Sequence, residues 1–121
     1  MEIKRYEVNG NKYEFVCEYF ETYRNWGHKV CLLKNGRELQ KAKCIYINRT
    51  WENYRFQTCM LKALSQEIEE QKEELKARYK RENNINRMSK KHNEKLEEVI
   101  ETDNYMQELV EVRKQVRGKV W

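Results

Sequence analysis

Two Asn-Gly dipeptides, Asn9-Gly10 and Asn35-Gly36, each sit between runs rich in Tyr, Phe, Val, Ile and Leu, and this punctuation constrains the chain more than any other feature. Asn-Gly is the preferred centre of a two-residue hairpin turn, because both central residues must take positive φ and these two tolerate it. A two-residue turn also fixes the register of its flanking strands. At Asn9-Gly10 it sets Glu7 opposite Lys12 and Arg5 opposite Glu14 on one face, with Tyr6 opposite Tyr13 on the other. Opposite charges meet and aromatics meet, so turn chemistry and side-chain chemistry agree. Four strands are predicted at 2–8, 12–22, 27–34 and 37–47, paired as an antiparallel meander. The longer link Tyr23-Arg24-Asn25-Trp26-Gly27 carries an aromatic pair and reads either as a functional loop or as an apolar flap over the sheet edge.

The pattern changes at Asn48-Arg49-Thr50-Trp51-Glu52, a polar segment with a capping residue, after which Trp51, Tyr54, Thr58, Leu61, Leu64 and Ile68 follow at helical spacing. One face of a four-stranded sheet needs an apolar cover, so Trp51, Tyr54 and Leu61 are expected in the core. Beyond Ile68 the stripe thins to Leu75 and Tyr79, and that end of the helix is expected to project. Asparagines gather in Arg81-Glu82-Asn83-Asn84-Ile85-Asn86, the expected hinge to a second antiparallel helix, which carries a possible interruption at Thr102-Asp103-Asn104. The predicted class is α+β: an N-terminal four-stranded antiparallel β-meander followed by two long C-terminal α-helices. A chain of 121 residues fits a single domain, 1–121, divided as sheet 1–48, first helix 49–82 and second helix 87–118.

The chain holds 25 basic and 20 acidic residues, a net charge of +5, which suits an anionic partner such as a phosphate-bearing ligand. The two signs are mixed in the totals, and this argues against nucleic acid as the principal partner. No run approaches the roughly 20 apolar residues that span a bilayer, so the expectation is a cytoplasmic protein without a membrane partner. Cys17, Cys31, Cys44 and Cys59 fall one per predicted element with no CxxC pair, which points to buried reduced thiols rather than a metal site. His28 and His92 fall in different elements, and each is expected at the surface or a rim. The sequence has no glycine-rich phosphate loop, HExxH or G-x-S-x-G elbow, so neither catalysis nor a cofactor is expected. The carboxylates lie among lysines in helix-surface patterns and read as ordinary i, i+4 ion pairs.

Two places carry candidate binding chemistry. Lys76, Arg78, Lys80, Arg81, Arg87, Lys90 and Lys91 surround the expected hinge, opposed by Glu82; a solvated tip is the first reading, an anion-attracting rim the second, and direct RNA or DNA contact the less favoured third. In the last helix Tyr105, Leu109, Val112 and Val116 form an apolar stripe, with Met106, Val110, Arg113 and Arg117 along its shoulder. Arg113 and Arg117, one turn apart, either snorkel from the stripe or form a fork for a phosphate or pyrophosphate. A stripe this apolar, ending in Val120-Trp121, leads to the expectation of a homodimer or higher homo-oligomer.

The segment Tyr46-Ile47-Asn48-Arg49-Thr50-Trp51-Glu52-Asn53-Tyr54-Arg55-Phe56-Gln57 after a meander is similar to small phage and prophage proteins. With the two C-terminal helices and the arginine pair, the whole chain resembles the phage anti-Thoeris sponge proteins. The resemblance implies a protein of the infected bacterial cytoplasm that sequesters a cyclic ADP-ribose isomer without degrading it, in pockets between subunits beside the C-terminal helices. It implies a phosphate clamp at Arg113 and Arg117. Chemistry adds Tyr54 or Met106 for stacking and apolar cover, Asn93 for an adenine edge, and Arg55 or Arg87 as further anion contacts. Two other readings stand beside it: a protein-binding inhibitor such as an anti-CRISPR, and a small nucleic-acid-binding module.

Overall fold

A computed structural model describes residues 1–46 and 56–118, with Tyr46 described by its backbone. The expected strand end at 47 and helix start at 49, the core placement of Trp51 and Tyr54, and Val120-Trp121 lie outside the described residues.

Four strands, β1 (Glu2–Val8), β2 (Asn11–Glu21), β3 (Trp26–Lys34) and β4 (Arg37–Tyr46), pair antiparallel in the order β1-β2-β3-β4. Asn9 and Gly10 take φ of 53° and 79°, and Asn35 and Gly36 take 51° and 84°, as two-residue hairpin turns require. The register matches the one that turn chemistry dictates: Glu7 faces Lys12, Arg5 faces Glu14 and Tyr6 faces Tyr13. The β3–β4 register shifts between Leu32 and Leu33, which pair with Gln40 and Glu38, so Leu39 is the extra residue of a bulge and packs against the core.

The aromatic pair of the β2–β3 link is divided. Trp26 opens β3 and is buried, whereas Tyr23 is fully exposed at the tip of a turn closed by Thr22 and Asn25. Gly27 pairs with Phe20, whose ring lies over it, and a Cβ there would stand 2.0 Å from the Cys44 carbonyl oxygen.

Tyr6, Val8, Tyr13, Phe15, Cys17, Val30, Leu32 and Ala42 form the buried face of the sheet. Three helices cover it: α1 (Phe56–Glu82), α2 (Lys90–Thr102) and α3 (Asn104–Gly118). α1 lies on β3 and β4, and α3 lies on β1 and beside α1. The buried stripe of α1 runs through Cys59, Met60, Ala63, Leu64 and Ile68; Thr58 points outward and Leu61 only flanks the core. Each large side chain buried this way contributes roughly 1.5–3 kcal/mol.

Three expectations are corrected. The second helix is two helices, because Asp103 takes an extended backbone (φ −65°, ψ 127°) that ends α2. Its Oδ2 then accepts from the Met106 amide at 3.0 Å, capping α3, and from Gln71 Nε2 at 3.2 Å. The distal half of α1 does not project bare: Leu75 and Tyr79 are buried, and α2 lies alongside with Leu96 buried and His92 Nδ1 2.8 Å from the Tyr79 hydroxyl. The stripe of α3 is internal, since Leu109, Val112 and Val116 are fully buried in the core of their own chain. The described part of the apolar stripe that motivated self-association is therefore covered within the chain.

The α1–α2 turn closes as the asparagine cluster suggests. Asn84 takes φ of 57°, its amide donates to the Arg81 carbonyl, and the Ile85 amide donates to the Lys80 carbonyl, the Schellman arrangement. Ser89 caps α2 by accepting from the His92 amide at 3.3 Å. Among the described residues, no helix is long and apolar enough to cross a membrane.

Candidate functional site

A groove of about 510 Å³ runs between α1, the end of α2 and α3. Its apolar lining is Ile68, Ile100, Met106 and Val110; its polar lining includes Lys72, Arg113 and Lys114 with Glu101 and Glu111. Helical spacing explains the assembly. Ile68 and Lys72 are one turn apart on α1, and Met106, Val110 and Arg113 follow at i, i+4 and i+7 on α3. The break at Asp103 starts α3 anew beside α1, and the Asp103–Gln71 bond ties that start to α1. Arg113 is half-buried, and none of the described ion pairs includes it. An apolar floor edged by three cations against the two carboxylates Glu101 and Glu111, a net of +1, suits an amphiphilic anion, with a base or ribose against the floor and phosphate oxygens on the guanidinium.

Of the residues singled out in sequence, the structure brings Met106 and Arg113 together in this groove. Arg117 is exposed on the last turn of α3 and is not part of the lining. Asn93 is exposed on α2 and Arg87 is exposed in the turn before it, both outside the groove. Tyr54 and Arg55 lie outside the described residues. Lys72 and Lys114 were missed: a lysine on a charged helix carries no local sign of the groove it will face.

A second polar cluster lies under the hairpin ends. Glu67 and Glu108 are both more than nine-tenths buried. Glu67 accepts from the Tyr105 hydroxyl at 3.0 Å and, more loosely, from Gln40 Nε2 at 3.4 Å. Glu108 accepts from Asn11 Nδ2 at 2.6 Å. The Tyr13 hydroxyl lacks a well-formed bond although the Glu108 carboxylate lies beside it. Burial first, and then the neighbouring carboxylates, push both phenols, Tyr13 and Tyr105, above their ordinary range. Lys34 Nζ sits 4.5 Å from the Tyr105 ring centroid and supplies a nearby positive charge. The cluster joins β2, β3 and β4 to α1 and α3, so it anchors the helices to the sheet. Sequence reasoning assigned these carboxylates to solvated faces; their signal was their position inside the apolar stripes, Glu67 one turn after Ala63 and Leu64 and Glu108 one turn before Val112.

At the other end of the sheet His28 is buried rather than at a rim, with its ring centroid 4.3 Å from that of Phe56 and 6.0 Å from those of Tyr19 and Trp26. Burial lowers its pKa and favours the neutral imidazole. The four cysteines are free thiols, Cys17 and Cys59 buried and Cys31 and Cys44 half-buried. Burial pushes the Cys17 and Cys31 thiols up to about 11 and, with Cys44 adjacent, the Cys59 thiol up to about 12, which makes them poor nucleophiles. Among the described residues, no group of three or more His, Cys, Asp and Glu side chains is arranged to hold a metal ion.

Comparison of the chain with protein-family models, curated proteins and solved structures finds no match.

Proposed function

We propose that this chain is a non-catalytic nucleotide-binding protein whose site is the α1–α3 groove. The observation that carries the reading is that Arg113 and Met106 share one groove with Lys72 and Lys114 above an apolar floor. Arg113 holds the phosphate, Met106 and Val110 cover the base, and the lysines add charge at the rim. The finer identity follows from the resemblance to the anti-Thoeris sponges: the ligand is a cyclic ADP-ribose isomer, retained intact, in a phage-infected bacterial cytoplasm. If two chains pair, as that resemblance implies, they use a surface other than the buried Leu109–Val112–Val116 stripe, and light scattering at micromolar concentration tests the pairing.

The test of function is direct. The protein is incubated with a panel of cyclic ADP-ribose isomers and cyclic oligonucleotides, separated from free ligand, and denatured, and the released compound is identified by mass. Recovery of an unaltered nucleotide supports the reading. A chemically changed product, or no retained nucleotide, overturns it.

A further inference from the structure

The structure gathers the whole of the excess positive charge at one end of the molecule. The last two turns of α1, the asparagine turn and the first turn of α2, residues 76–92, hold seven Lys and Arg side chains against the single carboxylate Glu82, a net of +6. The whole chain is +5, so everything else sums to −1. The totals look mixed in sequence; in space the two helix ends meet at one tip and the charge is concentrated there.

The fold that carries these cations accounts for only some of them: Lys80 and Arg81 in the last turn of α1 are favoured by the negative pole of that helix, and the others are not. Lys76 with Lys80 and Arg78 with Arg81 are like charges at i, i+4 and i, i+3 spacing on α1, and such pairs destabilise a helix. Lys90 and Lys91 occupy the first turn of α2, where the positive pole of the helix disfavours cations, and no acidic residue stands in that turn. Lys80 and Arg81 are not needed as carbonyl caps, because the turn amides of Ile85 and Asn84 bond the Lys80 and Arg81 carbonyls. The ion pair described at the tip is Arg78–Glu82, at 3.9 Å with both side chains more than half exposed. Arg81, Arg87, Lys90 and Lys91 are all exposed.

We propose that this helical tip docks on the phosphate backbone of a nucleic acid. Charge complementarity requires an anionic partner, and the size of the tip selects a polymer: two adjacent helices span about 20 Å, the length of several successive phosphates on one strand. The residues between the cations favour nucleic acid over an anionic membrane. Asn84 and Asn86 are exposed amides, which hydrogen-bond phosphates and base edges, while Ile85 and Met88 are half-buried and offer no exposed apolar wedge. None of the lining residues of the α1–α3 groove belongs to the tip, so this inference stands independently of the nucleotide-binding reading.

The test uses fluorescence anisotropy with labelled 20-nucleotide single strands and duplexes at about 50 and 200 mM salt, where counterion release makes backbone binding steeply salt-dependent. Wild-type protein binds at the lower salt and weakens as salt rises. The combined variant Arg78→Gln, Arg81→Gln, Lys90→Gln and Lys91→Gln loses affinity by about 30-fold or more, and its salt slope on single strands falls by about 3. A control that removes four exposed cations elsewhere (Lys12→Gln, Arg24→Gln, Arg37→Gln, Lys95→Gln) keeps affinity within about threefold, since its charges lie off the contact surface. Melting temperature guards against misfolding, and should change little in the tip variant, because losing Arg81 at the negative pole of α1 is offset by losing Lys90 and Lys91 at the positive pole of α2. The single variants Arg81→Gln and Lys91→Gln each lower the slope by about 0.7 and serve if the combined variant fails to fold. The proposal is overturned by no binding at 50 mM salt, by equal losses in tip and control variants, or by tighter binding to phosphatidylserine vesicles than to any oligonucleotide.

Discussion

The hydroxyl of Tyr105 donates a 3.0 Å hydrogen bond to Glu67 Oε2, joining α3 to α1 through a carboxylate that is 8% exposed. A buried carboxylate needs donors, and the other one in reach, Gln40 Nε2, stands at a long 3.4 Å. Tyr105→Phe keeps the ring and removes the donor, so it should cost about 1.5–3 kcal/mol in urea unfolding. Adding Glu67→Gln removes the buried charge and should recover part of that loss. An unchanged midpoint in the Phe variant would show that water satisfies Glu67 instead.

Gly27→Ala is expected to be among the most damaging small substitutions in the sheet. The added methyl would meet the Cys44 carbonyl oxygen at 2.0 Å and the Phe20 ring at 2.9 Å, and the first of these is backbone. Relief requires β3 and β4 to part, which should cost about 3 kcal/mol or more, read as the fall in denaturation midpoint. Phe20→Ala in the same background should not rescue it, because the backbone clash remains.

Asp103 sets where α3 begins. Asp103→Ala removes the acceptor of the Met106 amide and the partner of Gln71, and loss of such a cap costs about 1 kcal/mol. Met106 also lines the groove, so the variant should weaken nucleotide binding as well as stability. Asp103→Asn keeps a capping oxygen and should retain most of both.

Acid should destabilise the protein partly through His28. Burial lowers its folded pKa below the ordinary 6.5, so the unfolded chain takes up its proton first as pH falls. Stability is therefore undiminished by this residue above about pH 6.5 and declines as pH drops below it. His28→Gln should flatten the fall in melting temperature between pH 7.5 and 5.5. An identical pH profile in the variant would exclude His28 as a contributor.

The legible part of this fold was local. Turn chemistry at Asn9-Gly10 and Asn35-Gly36 set the register of both hairpins, because each depends on two adjacent residues and their immediate flanks. The break at Thr102-Asp103-Asn104 was visible for the same reason: these side chains compete for their own backbone. What the sequence hid was tertiary. The α3 stripe looked like a surface for a second chain, and only its docking on α1 and β1 shows it to be core. Glu67 and Glu108 looked like ordinary helix-surface carboxylates, because their donors come from elements 27 to 97 residues away. Of the arginine pair, helical spacing made Arg113 and Arg117 equivalent, but Arg113 is half-buried in the groove lining and Arg117 is exposed outside it.

That difference gives the account its most direct test, the affinity of Arg113→Ala and Arg117→Ala for the nucleotide recovered from the ligand panel, measured by calorimetry. Losing Arg113 strips a partly desolvated phosphate of its charge-assisted bonds, which should cost on the order of 2–5 kcal/mol, about 30-fold or more in affinity. Arg117, outside the groove, should change binding by less than about threefold, which is under 1 kcal/mol. Wild-type affinity in Arg113→Ala, or a larger loss in Arg117→Ala, would contradict the assignment of the α1–α3 groove as the binding site.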